Sequence, residues 1–84
     1  MKKKKKPLTV YVVDDDLNVC QCFEELINWP TLGCEPPIIC HNGESALAKM
    51  NTQPPDLVIS DLKMPVMDGA TLCREIRRRN AEVE

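Results

Sequence analysis

Pro55-Asp56-Leu57-Val58-Ile59-Ser60-Asp61-Leu62-Lys63-Met64-Pro65-Val66-Met67-Asp68-Gly69 is the stretch on which the fold turns. Leu57-Val58-Ile59 is a short apolar run without alternation, flanked by Asp56 and Ser60. Such a run suits a strand buried on both faces. Residues 61–68, with Pro65 among them, read as a loop. Gly69 leads into a helical pattern in which Leu72, Cys73 and Ile76 face inward and Arg74, Arg77, Arg78 and Arg79 lie mainly outward.

The same succession of strand, turn and helix recurs twice upstream. Residues 8–13 (Leu-Thr-Val-Tyr-Val-Val) form a nearly continuous apolar, β-branched run. Asp14, Asp15 and Asp16 follow at its C-terminal end, where they can cap a helix. Val19, Cys22, Phe23 and Leu26 then fall at i, i+3, i+4 and i+7, with Ile27 widening the stripe, and Gln21, Glu24, Glu25 and Asn28 on the other face. Pro30 ends that helix near Trp29, and residues 31–37 turn around Gly33. Ile38-Ile39-Cys40 is a second strand, shortened by Pro36 and Pro37 and suited to an edge. Asn42-Gly43-Glu44-Ser45 reads as a helix start, with Ala46, Leu47 and Met50 on its buried face and Pro54 and Pro55 closing it. The order β-α-β-α-β-α implies an α/β fold whose strands are parallel and joined by right-handed crossovers.

Eighty-four residues make one small domain. A hydrophobic fraction of 43% suits a globular chain, and one Trp, one Tyr and one Phe predict an aliphatic core. The net charge of -2 is uneven. Residues 2–6 are all lysine; without them six basic residues face thirteen acidic ones, about -7. Residues 1–7 therefore read as a basic, solvated tail and residues 8–84 as the acidic folded part. Five cysteines, none in a C-x-x-C pair, show no metal-ligand spacing and read as reduced thiols. Cys20 and Cys22, two apart on a helix, point to different faces. The apolar run after the lysines is short, ends in three aspartates and lacks a small-residue cleavage site. No stretch approaches the length of a membrane span. These features predict a soluble, cytoplasmic protein with no membrane partner.

Acidic residues gather after two of the strands: Asp14, Asp15 and Asp16 after the first, Asp61 after the third. In an open parallel sheet the ligand crevice lies outside the carboxyl ends of the strands. If the first and third strands are neighbours, Asp14, Asp15 and Asp61 converge. Their mutual repulsion calls for a cation, and Mg²⁺ prefers such hard oxygen ligands. That site suits phosphoryl transfer to a carboxylate oxygen, giving an aspartyl phosphate. Asp16 and Asp68 serve equally well as helix caps.

Three segments carry a resemblance. Val12-Val13-Asp14-Asp15-Asp16, Asn42-Gly43-Glu44-Ser45-Ala46-Leu47 and the stretch from Pro55 to Gly69 resemble the receiver domains of two-component response regulators, across essentially the whole chain after Pro7. The resemblance implies a flavodoxin-like, doubly wound parallel sheet, represented here by three strands in the order 2-1-3, so that residues 8–84 form part of a receiver. It implies that Asp61 is the phosphoacceptor. Mg²⁺ would be held by Asp14, Asp15, Asp61 and the backbone carbonyl of Lys63. Lys63 itself would face the mouth of the site, while Met64, Pro65 and Gly69 shape the loop. The implied partner is a sensor histidine kinase, with DNA contacted only through an output domain outside this chain, of the helix-turn-helix regulator kind. A family receiver also has a fourth strand, which supplies a Ser or Thr hydroxyl, and a fifth, which supplies a Lys. Neither lies within these 84 residues, so phosphorylation of this polypeptide is expected to be poor.

Two rivals stand beside that reading. A phosphohydrolase of the haloacid dehalogenase kind also places an aspartate after its first strand, in a D-x-D pattern that Asp14-Asp15-Asp16 meets. Asn18 stands where that family expects Thr or Val. The second rival is a module that associates only with itself or a partner. Whichever reading holds, without a fourth strand and a final helix the third strand is expected to offer an apolar, unpaired edge to a second copy, giving a symmetric dimer, and apolar surface near Phe23 and Leu26 is expected to be exposed.

Overall fold

Four consecutive β-branched or aromatic residues, all fully buried, make β1 (Val10–Val13) the centre of the fold. The computed structural model describes residues 6–84, so most of the basic tail read at residues 1–7 lies outside the described residues. After β1 come α1 (Leu17–Leu26), a 3-10 turn (Pro30–Leu32), β2 (Ile38–Cys40), α2 (Gly43–Lys49), β3 (Leu57–Ser60) and α3 (Gly69–Arg79). The sheet order is β2-β1-β3 and both pairings are parallel. β2, the strand preceded by two prolines, is at an edge as expected. β1 is shorter than the sequence run suggests, because Leu8 leaves the ladder for an isolated bridge with Cys34.

The sheet is covered on both faces, and strand alternation divides its side chains between them. On one face Tyr11, Val13, Cys40 and the half-buried Val58 pack under Ala46 and Leu47 of α2 and Leu72 and Ile76 of α3. On the other, Val10 and Val12 pack with Trp29 and Cys34, flanked by the half-buried Phe23, Ile27, Leu57 and Ile59. Tyr11 and Trp29 are therefore core residues, which corrects the expectation of an aliphatic core. Each satisfies its polar atom: the Tyr11 hydroxyl donates to the Gln53 carbonyl, and Trp29 Nε1 donates to the Phe23 carbonyl at 2.9 Å.

Three inward placements are corrected. Cys73 is exposed, since the buried stripe of α3 is Gly69, Leu72 and Ile76 and Cys73 falls on its margin. On α1 the buried face is turned toward Cys20, leaving Cys22 exposed and Leu26 78% exposed. β3 is half-buried along its length. Nor is its outer edge wholly unpaired: Val58 N donates to Glu84 O at 2.8 Å and Glu84 N to Asp56 O at 3.0 Å, while Val83 enters the core. The expected free edge is thus covered over its first half.

Burial pushes the Tyr11 hydroxyl pKa up to about 12, helped by the neighbouring Cys40 thiol. A raised folded-state value means stability fully present below the ordinary value of 10.0 and lost as pH rises through about 12. The window of loss is therefore pH 10 to 12, and its depth is on the order of 3 kcal/mol. Burial raises the Cys20 and Cys40 thiols as well, so they contribute in the same direction at alkaline pH. Tyr11→Phe is expected to cost about 1 kcal/mol near neutrality through the lost hydrogen bond, yet to unfold less steeply above pH 10. Urea midpoints from pH 8 to 11.5 for both proteins check this; parallel curves would contradict it.

Candidate functional site

The register that pairs Val13 with Ser60 makes Asp14 and Asp61 the next rung at the carboxyl end of the sheet. Backbone bonds continue the ladder one step beyond the strands: Asp61 N donates to Val13 O and Asp14 N to Cys40 O, both at 3.0 Å. The sheet itself thereby fixes the main chain beneath two carboxylates. Asp15 follows Asp14 directly. Carboxylate oxygens of Asp14, Asp15 and Asp61 all lie within 4.8 Å of one another, with Asp14 buried and Asp15 exposed. The sequence-level condition that the first and third strands be neighbours is met, and the three aspartates converge.

The fourth aspartate takes a different part. Asp16 is the N-cap of α1, its Oδ1 accepting from Asn18 N at 2.9 Å and Val19 N at 3.4 Å. Asp68 caps α3, accepting from Thr71 N at 2.8 Å, and that bond holds its carboxyl below the usual carboxylate range. Asn42 caps α2 through Ser45 N at 2.7 Å. The first and third of these caps start α1 and α2 close behind a strand end, whereas α3 follows β3 only after the loop 61–68.

The loop 61–68 borders the site on the β3 side. Lys63 N lies 3.5 Å from Asp61 Oδ1, which brings the Lys63 main chain beside the cluster. Met64 is buried in the core, and the largely exposed Val66 adopts φ 70, a left-handed conformation that a β-branched residue rarely takes. Gly69 N donates to Leu62 O at 2.9 Å, and the backbone approach is so close that a Cβ on Gly69 would lie 2.1 Å from Asp61 O. Sequence reading placed Gly69 as a loop-shaping residue without finding this contact. It also missed the left-handed Val66, for which a β-branched residue gives no signal, and two side chains beneath Asp14. Cys20 Sγ donates to Asp14 O at 3.3 Å, and His41 Nδ1 lies 3.4 Å from the same oxygen.

The chemistry of the donor set is that of a hard-cation site. Three carboxylates share one small volume, and no Lys or Arg forms an ion pair with them among the described residues. Their repulsion is relieved by a divalent cation with oxygen preference. The wider hollows, of about 500 and 600 Å³, lie elsewhere, near Pro30 and Pro36, and gather no comparable set of groups. No helix among the described residues is long and apolar enough to cross a membrane.

An open three-stranded parallel sheet with acidic groups at the carboxyl ends of two adjacent strands defines an α/β fold of the doubly wound class. The profile of the response regulator receiver domain matches residues 10–84, and the chain belongs to that family. It is 35% identical over 71 residues to the DNA-binding transcriptional regulator NtrC of Salmonella typhimurium, covering 84% of this chain and 14% of that protein. It is 36% identical over 69 residues to the transcriptional regulatory protein BaeR of Escherichia coli, covering 82% of this chain and 28% of that one. Among solved structures, a two-component transcriptional regulator AraC from Clostridium phytofermentans superposes with a TM-score of 0.86 at 26% identity, over 92% of this chain and 62% of that one. The chemotaxis response regulator CheY4 of Vibrio cholerae superposes with a TM-score of 0.73 at 30% identity, over 86% and 57%. The chain thus spans less than a third of these curated relatives and about three-fifths of these solved chains. The flavodoxin-like order 2-1-3 expected from the sequence is the order observed.

Proposed function

We propose that this chain is the phosphoacceptor part of a two-component receiver, in which Asp61 takes a phosphoryl group from a sensor histidine kinase. The observation that carries this reading is the convergence of Asp14, Asp15 and Asp61 within 4.8 Å at the carboxyl end of adjacent parallel strands. Asp61 supplies the nucleophilic carboxylate oxygen; its main chain is fixed by the bond to Val13 O, so the attacking group starts from a set position. Asp14, Asp15, Asp61 and the Lys63 carbonyl would hold Mg²⁺. When bound, the ion neutralises charge on the transferring phosphoryl oxygens. Asp14 keeps one oxygen on Asp16 N at 2.9 Å, leaving the other free to face the ion. Residues 8–84 are the receiver part, and residues 1–7 a basic leader. Regulation of transcription would run through an output domain, as the names of the relatives suggest.

Titration with Mg²⁺, followed by the amide resonances of residues 14–16 and 61–63, tests the site. Weak binding is expected, because Mg²⁺ gives up its waters reluctantly. Asp15→Asn and Asp61→Asn should each weaken it at least about tenfold. Unchanged affinity in either variant would refute the assignment. The Asp61 variant also separates this reading from the haloacid dehalogenase rival, whose nucleophile would be Asp14.

A second reading, self-association of the 84-residue polypeptide, is favoured by one set of exposures. Leu26 is 78% exposed beside a wholly apolar hollow lined by Cys22, Phe23 and Ile27, and β3 is half-buried with Glu84 bonded only at Asp56 and Val58. A symmetric dimer joined through the open half of the β3 edge is expected. Sedimentation equilibrium across concentration decides it, and a monomer throughout would rule this reading out.

A further inference from the structure

We infer that Cys20 and His41 are positioning residues for the acidic cluster, acting together through the backbone carbonyl of Asp14. This rests on the reading of that cluster as a divalent-cation site. The Asp14 oxygen sits just past the end of β1, and no backbone N–H among the described residues reaches it. A buried carbonyl without a partner is costly, so its bonds matter to the local structure. Its partners are two side chains from different elements. Cys20, in the first turns of α1 and 3% exposed, donates its thiol at 3.3 Å. His41, directly after β2, brings Nδ1 to 3.4 Å, and only a protonated ring nitrogen can bond a carbonyl oxygen. The two side chains are themselves adjacent, with Sγ 3.8 Å from Nδ1.

The geometry gives these bonds a specific consequence. The Asp14 carbonyl belongs to the peptide plane joining Asp14 to Asp15. A change in Asp14 ψ or Asp15 φ turns that plane and, unless the other dihedral compensates, swings the two carboxylates relative to each other. The other end of Asp14 is already fixed by its N–H on Cys40 O, and its Oδ1 holds Asp16 N. Pinning the carbonyl from α1 and from the β2 end therefore sets the angle between the Asp14 and Asp15 carboxylates. Neither Cys20 nor His41 is a ligand to the cation in this arrangement; their role is orientation.

The test uses paired variants at one pH, with two readouts. The first is solvent exchange of the Asp16 amide in the metal-free protein, which reports the Asp14 Oδ1 bond. The second is Mg²⁺ affinity by amide shifts. The double variant Cys20→Ala, His41→Leu is expected to speed Asp16 exchange and to weaken Mg²⁺ about tenfold, in the range of losses seen when groups orienting metal ligands are removed. Cys20→Ser keeps a donor at the same position, and His41→Asn places an amide N–H where Nδ1 stands; each should stay within about threefold of the starting protein. His41→Gln, whose amide sits one bond further out, should not rescue. Asp16 exchange unchanged in the double variant would overturn the inference. So would Ser and Asn variants as impaired as Ala and Leu, since the donors would then be irrelevant. If the unaltered chain binds no Mg²⁺, the cation reading itself fails, and Asp16 exchange alone still decides whether Cys20 and His41 hold the Asp14 peptide.

Discussion

Gly69→Ala is expected to lower the melting midpoint by roughly 10–20 °C and to disorder the loop that carries Asp61. The added Cβ would lie 2.1 Å from Asp61 O and 2.9 Å from both Asp61 C and Leu62 Cα. All three are backbone atoms, so no rotamer change can relieve the clash. Overpacking ordinarily costs 1–3 kcal/mol, and a backbone collision belongs at or above the top of that range, about 3 kcal/mol. A domain of this size has a margin on the order of 4–13 kcal/mol, so the loss is a large part of it. Gly43→Ala is the control. Its Cβ would meet one side chain, Met67, at Sδ 2.6 Å, Cγ 3.1 Å and Cβ 3.2 Å; the sulfur can move aside, and Cγ and Cβ need give by only a few tenths of an ångström. Thermal melts followed by circular dichroism compare the two. A Gly69 variant that melts within a few degrees of the unaltered chain would show that the α3 start can shift without disturbing Asp61.

The contrast between these two glycines shows where sequence reading stops. The elements were legible because local signals agree with the tertiary outcome: unbroken apolar runs became strands, the central one fully buried, and Asn42, Asp16 and Asp68 mark helix starts that the caps bear out. Alternation of strand and helix gave parallel pairing, and strand-end position gave the meeting of Asp14, Asp15 and Asp61. What failed depends on contacts between residues far apart in sequence. Cys73 and Cys22 carry the right apolar character at the right helical spacing, but exposure is decided by what packs opposite, and both are exposed. Glu84 reaches back 26 residues to Val58, a pairing that no local pattern announces. Trp29 is buried because it plugs the α1 face of the sheet, although it stands beside a proline in a turn. The bonds from Cys20 and His41 to Asp14 O belong to the same class, since thiol and imidazole were each ordinary in sequence and become informative only when the fold brings them to one oxygen.

Exposed to a small phosphodonor such as acetyl phosphate, the 84-residue polypeptide is expected to take up phosphate slowly or not at all, while the same residues joined to the fourth and fifth strands of a family receiver label quickly, at Asp61. Asp61→Asn should abolish labelling in both. The physical reason lies in what surrounds the attacking oxygen. Asp61 is set beside two further carboxylates, and among the described residues no cation of the protein forms an ion pair with any of them. A bound Mg²⁺ offsets part of that negative charge, yet charge on the transferring group still needs fixed donors aimed at it. Removing one preorganised donor from such a site typically slows reaction by about 10²–10³. The resemblance assigns two donors, a hydroxyl and a lysine, to segments outside these 84 residues. Lys63 does not take their place: its amide lies 3.5 Å from Asp61 Oδ1, and its ammonium forms no ion pair with that carboxylate. The difference in rate between the two polypeptides is therefore expected to be at least about hundredfold. Intact mass spectrometry with peptide mapping gives both the rate and the site. Labelling of the 84-residue polypeptide at Asp61, at the rate of the completed one, would mean that the convergence of Asp14, Asp15 and Asp61 with Mg²⁺ is sufficient for the chemistry. Labelling of the completed polypeptide at Asp14 instead would move the nucleophile to the first strand and remove the basis for assigning Asp61.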